Sequence, residues 1–256
     1  MPENLARFVP TPELNNGIPA AQRDLGMAAL YESAESAGQS MVVEENIRKL
    51  EMSGEVGAFL LPLYRRIIDT EPRLDHVILR PFEKGDHQYE EGAPGFMVYP
   101  SYAQTEHDEV HINVGGWKEY RKALKIRDAA VKVIAGKLGI QPEEMTEEMF
   151  AAFILAHEFG HEIEMVDKGL DERAHGRLRK LQEATLPVPG KAPSELIWAF
   201  KRHPIRARQY MKDNRERLAE LRISSIDELI VAQEIAYRSL PVEDYADKFA
   251  VNMLAR

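Results

Sequence analysis

A helical segment that ends in two histidines constrains this chain more than any other feature. Residues 149–156 are apolar enough to form a buried helix, and His-Glu-Phe-Gly-His follows at positions 157–161. His157 and His161 are four residues apart, so they lie on one face of the helix and can bind one Zn²⁺ ion. Glu158 lies about 100° round the helix, where it can reach a water beside the metal as a general base without being a ligand.

The flanking residues support a helix at this position. Thr146 is suited to an N-cap, and two glutamates follow it in the first turn, where acids suit the helix dipole. Gly160 costs a helix about 1 kcal/mol relative to alanine, which predicts a close approach of another backbone there. The simpler alternative is two ordinary histidines on a helix that binds no metal.

A catalytic zinc site usually has three protein ligands and one open position, so a third ligand is needed. Asp167 lies at the spacing that one class of zinc sites uses after the second histidine. That class has a glycine three residues after the second histidine, where the chain turns back to the metal, and Glu164 occupies that position here. Glutamate favours continuation of the helix, so Asp167 is the weaker candidate.

Glu243 is the stronger candidate for the third ligand. It lies in a predicted helix that has Pro241 near its first turn and an apolar stripe at helical spacing. Asp247 is four residues further along the same face, and a buried carboxylate needs a partner. Glu243 would bind the metal, and Asp247 would accept the hydrogen bond that fixes the tautomer of a ligand histidine. The alternative is a solvated acidic start of a helix.

These two segments resemble the gluzincin zinc metallopeptidases, in particular the ImmA/IrrE-type and M48-type peptidases. The resemblance rests on residues 153–161, which contain H-E-F-G-H, and on the E-x-x-A-D-x-F-A pattern from Glu243 to Ala250. It implies zinc ligands at His157, His161 and Glu243, a base at Glu158 and a supporting carboxylate at Asp247. It also implies hydrolysis of peptide bonds and a protein or peptide substrate.

Composition excludes several other classes of protein. The chain of 256 residues has no cysteine, so disulfides and cysteine-ligated metals are excluded. Its start has no apolar run of the signal-peptide type, and no stretch approaches the roughly 20 apolar residues of a membrane-spanning helix. We therefore expect a cytoplasmic protein without a membrane partner.

Charge is distributed unevenly along the chain. Residues 173–222 contain 13 Lys and Arg against 5 Asp and Glu, a balance of +8, so the remainder of the −9 chain carries −17. This basic stretch is interpreted as a solvated helical face, or alternatively as a docking surface for an acidic partner. No nucleic-acid-binding motif accompanies it, so nucleic acid is a weaker alternative.

The order of the predicted elements indicates an α+β fold that is mostly helical. A small three-stranded sheet, from strands at 76–80, 96–99 and 110–114, would pack on the H-E-x-x-H helix and on the C-terminal glutamate helix in the minimal gluzincin core. The 110–114 strand, which contains His111, is expected at the sheet edge beside the metal, where a peptide substrate could pair with it. Long helical stretches are predicted at 19–50, at 117–138 with a stop at Gly139, and at 194–222 with an interruption at Pro204. A capping box at Ser225 begins another helix.

The domain organisation expected from this pattern has four parts. They are an N-terminal arm and helices at 1–70, the sheet and motif helix at 71–166, the basic helical insertion at 167–222, and the C-terminal helices that complete the core at 223–256.

Three functions remain open from the sequence alone. The first is a zinc-dependent endopeptidase, the second a zinc-binding regulatory protein with very narrow or no general proteolytic activity, and the third a metal-free helical interaction module. A peptidase also needs a donor for the oxyanion, and the sequence does not choose among Tyr237, Tyr245, His175 and His203.

Overall fold

The computed structural model of the protein describes residues 41–82, 95–98, 109–201 and 203–255. The predicted N-terminal arm, and the predicted helix at 19–50 as far as residue 40, lie outside the described residues. The chain divides into two compact units, with the boundary between residues 42 and 43. No helix among the described residues is both long enough and apolar enough to cross a bilayer.

The described residues are mostly helical, with one small sheet. The strands are β1 (Ile78–Phe82), β2 (Gly95–Val98) and β3 (Glu109–Asn113). The helices are α1 (described from 41 to 51), α2 (Gly54–Thr70), α3 (Trp117–Ile126), α4 (Asp128–Leu138), α5 (Glu147–Lys168), α6 (Glu172–Glu183), α7 (Pro193–Leu196), α8 (Pro204–Asp213), α9 (Arg215–Glu220), α10 (Ile226–Arg238) and α11 (Pro241–Leu254).

The sheet is built on β3, which pairs with a strand on each side. β1 pairs with it in parallel, with Leu79 opposite Val110, and β2 pairs with its other side in the antiparallel direction. The prediction that the 110–114 strand forms an edge is therefore wrong, because strand order depends on crossovers that local patterns do not specify. β1 also continues through Pro81, which an edge strand tolerates because only one of its sides donates to the ladder.

Helix α5 forms the centre of the core and contains the H-E-x-x-H motif. It begins at the predicted N-cap, where the Thr146 side chain accepts a hydrogen bond from the backbone N–H of Met149, and ends at Gly169 in the left-handed conformation. Every residue from Phe150 to Met165 is buried, since α2, α3, α11 and the sheet all contact this helix. The motif therefore lies in the interior of the protein.

The main neighbour of α5 is α11, the predicted glutamate helix. The two helices meet where a Cβ placed on Gly160 would lie 2.7 Å from Ala246 Cα and 2.8 Å from Ala246 O. The predicted close backbone approach at Gly160 is thus confirmed. Any side chain at Gly160 would separate the helix that carries the histidines from the helix that carries Glu243.

Two predicted helices are divided in the structure. The stretch 117–138 forms α3 and α4, because the backbone leaves helical geometry at Arg127, with φ −101° and ψ 35°. The stretch 194–222 is interrupted by a π-helical turn at Ile197–Lys201 in addition to the predicted interruption at Pro204. The predicted capping box at Ser225 and the stop at Gly139 are confirmed.

Candidate metal centre

Three ligand atoms from α5 and α11 meet in the protein interior. His157 Nε2 lies 3.2 Å from His161 Nε2 and 3.3 Å from Glu243 Oε2, and His161 Nε2 lies 3.8 Å from the same oxygen. All three side chains are buried, at 5% exposure or less. The structure therefore brings together the three residues that the sequence proposed as ligands.

The spacing of these atoms suits a tetrahedral metal ion. Bonds of about 2.0–2.1 Å at the tetrahedral angle place neighbouring ligand atoms about 3.4 Å apart, close to the three separations in this group. Two imidazoles and one carboxylate are also a donor set that zinc accepts, and three protein ligands leave one position open. In the positions that the structure gives them, these residues thus fit a zinc ion with one open coordination position.

Asp247 supports the group from the position that the sequence predicted. Its Oδ1 atom lies 2.8 Å from His157 Nδ1, so it accepts the hydrogen bond that leaves Nε2 of the same ring facing the other ligands. Arg238 donates to the same oxygen at 2.8 Å, and Lys137 Nζ lies 2.9 Å from Oδ2. These two cations keep the fully buried Asp247 carboxylate ionised, and its pKa lies well below the usual range in spite of burial.

The two histidines differ in their affinity for protons. Burial lowers the pKa of His157, but the carboxylates of Asp247 and Glu243 outweigh burial and raise it to about 9. Burial, together with the neighbouring positive charge of His157, lowers the pKa of His161 well below its ordinary value. His161 is therefore neutral, and metal binding must displace a proton from His157.

Glu158 is the residue of the motif without a partner. Among the residues that the structure describes, it makes no hydrogen bond and no ion pair. It is 8% exposed, and burial raises the pKa of its carboxyl group. A carboxylate that is free of partners and binds protons more strongly than usual is suited to general base and general acid chemistry.

The second oxygen of Glu243 faces α6 and α10. Oε1 lies 3.2 Å from Arg179 Nη2 and accepts no hydrogen bond from the described residues, so this contact is an ion pair. The same Arg179 nitrogen donates a hydrogen bond to the hydroxyl of Tyr237. Arg179, together with the hydrogen bond and positive charge of His157, outweighs burial and holds the pKa of Glu243 well below its ordinary value.

Other candidates from the sequence lie elsewhere. Asp167, the weaker candidate for the third ligand, pairs with Arg73 at 2.7 Å and accepts a hydrogen bond from Tyr245. Both Asp167 and Tyr245 are thereby occupied outside the ligand group. His111 is buried in β3, where its Nε2 atom lies 3.3 Å from a carboxylate oxygen of Glu109, and His203 is exposed.

A second group of possible ligands overlaps the first at His161. The donor atoms of His161, Glu164 and His175 lie within 4.8 Å of one another, and all three residues are buried. Here Glu164 already pairs with Lys168, and its Oε2 atom lies 2.9 Å from His175 Nε2. These contacts compensate the charge of Glu164 without a metal ion. The first group is the better metal site because Glu158, a free carboxylate, accompanies it.

The sequence did not reveal the cations around the site. Lys137, Arg179 and Arg238 come from α4, α6 and α10, and none has a fixed spacing from the motif. Arg179 belongs to the basic stretch that was interpreted as a solvated or docking face. The only local signal was the need of two buried carboxylates, Glu243 and Asp247, for positive partners.

Comparison of the chain with protein-family models, with curated proteins and with solved structures found no match.

Proposed function

We propose that this protein is a zinc-dependent metallopeptidase of the gluzincin type. The observation that carries the proposal is the meeting of His157, His161 and Glu243 at tetrahedral spacing, next to the unpartnered carboxylate of Glu158. The resemblance of the two motif segments to gluzincins supports the same assignment.

The three ligands, Glu158 and Asp247 each have a part in the proposed hydrolysis. A zinc ion held by the three ligands supplies Lewis acidity and lowers the pKa of water toward neutrality. Glu158 accepts a proton from the attacking water and returns it to the leaving amine, and its raised pKa suits both transfers. Asp247 holds His157 in the tautomer that ligation requires.

Tyr237 is the best placed of the four candidate oxyanion donors. It is 9% exposed, and burial together with the nearby Glu243 raises the pKa of its hydroxyl well above the ordinary value, which keeps it protonated. Its oxygen accepts a hydrogen bond from Arg179, and it lies next to Glu243, one of the three proposed ligands. His175 and Tyr245 are bound to Glu164 and Asp167 instead.

An extended peptide substrate could pair with the edge of the sheet nearest the motif helix. β3 is flanked on both sides, whereas β2 packs against α5 and is an edge strand of the described sheet. Main-chain pairing with β2 would place a peptide beside the strand that packs on α5 without demanding a particular sequence. This replaces the expectation that the 110–114 strand receives the substrate.

Substitution of Glu158 by glutamine tests the proposal. The variant keeps its size and is not a ligand, so it should retain zinc at wild-type stoichiometry. Loss of the base should reduce hydrolysis of a mixed peptide library by about 10²–10⁴-fold, measured by mass spectrometry of the products. Glu148→Gln, in the first turn of the same helix, removes an equal charge away from the ligands and should cleave like the wild type.

Two results would contradict the proposal. If Glu158→Gln cleaves as fast as the wild type, Glu158 is not the base. If the purified wild type takes up no zinc, the protein is not a metalloenzyme, and the helical interaction module becomes the better hypothesis. A wild type that binds zinc and cleaves no peptide in the library supports a regulatory role.

A further inference from the structure

The two oxygens of Glu243 have different surroundings. Oε2 faces the Nε2 atoms of His157 and His161 at 3.3 and 3.8 Å. Oε1 faces away from them, 3.2 Å from the guanidinium of Arg179. The carboxylate is therefore oriented so that one oxygen is directed to the metal position and the other to a fixed cation.

Arg179 is itself held in place by two residues. Its Nε donates to Glu183 Oε1 at 3.1 Å, one turn along α6, and its Nη2 donates to the hydroxyl of Tyr237. Its guanidinium carbon also lies 5.8 Å from the centre of the Tyr237 ring, within the range of a cation–π contact. A guanidinium anchored in this way cannot follow Glu243 if that carboxylate rotates.

We propose that Arg179 is a positioning residue that restricts Glu243 to one-oxygen coordination and so keeps the fourth position of the metal open. This inference rests on the proposed zinc site and adds a residue from the basic stretch to it. Carboxylates bind metal ions through one or both oxygens, and the choice depends on what else each oxygen contacts. Without Arg179, Oε1 is free to turn toward the metal and occupy the position that a catalytic site leaves for water.

A purely electrostatic role for Arg179 makes a different prediction. Lys137 and Arg238 already neutralise Asp247, so a third cation could serve only to offset the charge of Glu243. In that case its loss would alter metal affinity but not the number of atoms bound to the metal. The coordination number therefore separates positioning from charge compensation, independently of enzymatic activity.

The test is to measure metal coordination in the full-length chain with Arg179→Met. X-ray absorption at the zinc edge counts nitrogen and oxygen neighbours, and the visible spectrum of the Co²⁺-substituted protein distinguishes four-coordinate from five-coordinate ions. We expect four neighbours in the wild type and five in Arg179→Met, with weaker visible absorption of Co²⁺. Arg177→Met, on the exposed side of the same helix, is the matched control and should keep four.

Two additional variants keep the inference testable if Arg179→Met folds poorly. Arg179→Lys retains a cation that can hold Oε1, so it should restore most of the four-coordinate spectrum. Glu183→Gln removes the anchor of Arg179 from a half-buried position and should shift the spectrum in the five-coordinate direction, by a smaller amount.

The outcomes distinguish this inference from the proposed function. A wild type that binds neither Zn²⁺ nor Co²⁺ overturns both. A wild type with four neighbours, whose Arg179→Met and Glu183→Gln variants give the same spectrum as Arg177→Met, overturns the positioning role alone and leaves the zinc site intact.

Discussion

Asp247 shows at the scale of a single residue how the site is prepared. One of its oxygens accepts hydrogen bonds from both His157 and Arg238, and the other faces Lys137. A fully buried carboxylate is costly unless it is paired, and here the pairing also fixes the orientation of a ligand. The cost of burying Asp247 is thus offset by the same contacts that orient His157.

Replacement of Asp247 by asparagine should weaken zinc binding by about 10–100-fold, the usual effect of removing a carboxylate behind a ligand histidine. The amide has the same shape, but it neither stabilises the correct tautomer as strongly nor neutralises Arg238. Competition with a chelator of known affinity measures the change. Asp244→Asn on the same helix removes an equal charge that pairs with Lys137 and Lys248, and its affinity should stay near that of the wild type. Equal losses in the two variants would show that only net charge matters.

At the scale of elements, the crossing of α5 and α11 determines whether the site exists. Gly160 and Ala246 allow the two backbones to approach until Glu243 reaches the histidines. The distance between the axes of two packed helices is typically about 8–10 Å and depends on the size of the side chains at the contact. Gly160 and Ala246 therefore affect the ligand group by setting the distance between α5 and α11, although neither is itself a proposed ligand.

Gly160→Ala should destabilise the protein, although alanine is the better helix former by about 1 kcal/mol. A Cβ at 2.7 Å from Ala246 Cα forces the helices apart, and such overpacking typically costs about 1–3 kcal/mol. The free energy of unfolding in urea measures the loss, and zinc affinity should fall with it. Gly136→Ala is the control, because a Cβ there meets nothing within 4 Å on an exposed helix position, so stability should rise slightly. A stabilised Gly160→Ala variant would show that the crossing is not tight.

Features that depend on neighbouring residues in the sequence were predictable, and features that depend on distant ones were not. The caps at Thr146 and Ser225 are encoded within a few residues, and the ligand spacing on α5 follows from helix geometry alone. The break at Arg127 and the central position of β3 depend on packing and strand order. Arg179 was missed for the same reason, since its partner Glu243 is 64 positions away.

At the scale of the whole molecule, five of the described helices converge on one point. α5 and α11 provide the ligands, and α4, α6 and α10 each provide one cation. The stretch 167–222, predicted as an insertion, therefore contributes Arg179 to the site and His175 to the contacts of Glu164. A role for the remaining basic residues in binding an acidic partner stays a prediction.

Zinc should raise the free energy of unfolding, because an ion bound between α5 and α11 is released when either helix unfolds. Free zinc at 100 times its dissociation constant adds about 2.7 kcal/mol. For a chain of this size that corresponds to a rise in Tm of about 5–10 °C, reversed by a chelator. Thermal melts with and without zinc measure it, and His161→Ala should show no comparable rise. An unchanged wild-type Tm at saturating zinc would contradict binding to the native state.

The separation of the ligands along the chain has a consequence for handling the protein. His161 and Glu243 are 82 positions apart, so a long loop must close before the carboxylate arrives, and contacts of such separation form late in folding. Until then the eight histidines of the chain are accessible as competing, incomplete sites for a cation. Metal should therefore be added after refolding is complete, since ions present earlier would hold the unfolded chain in non-native loops.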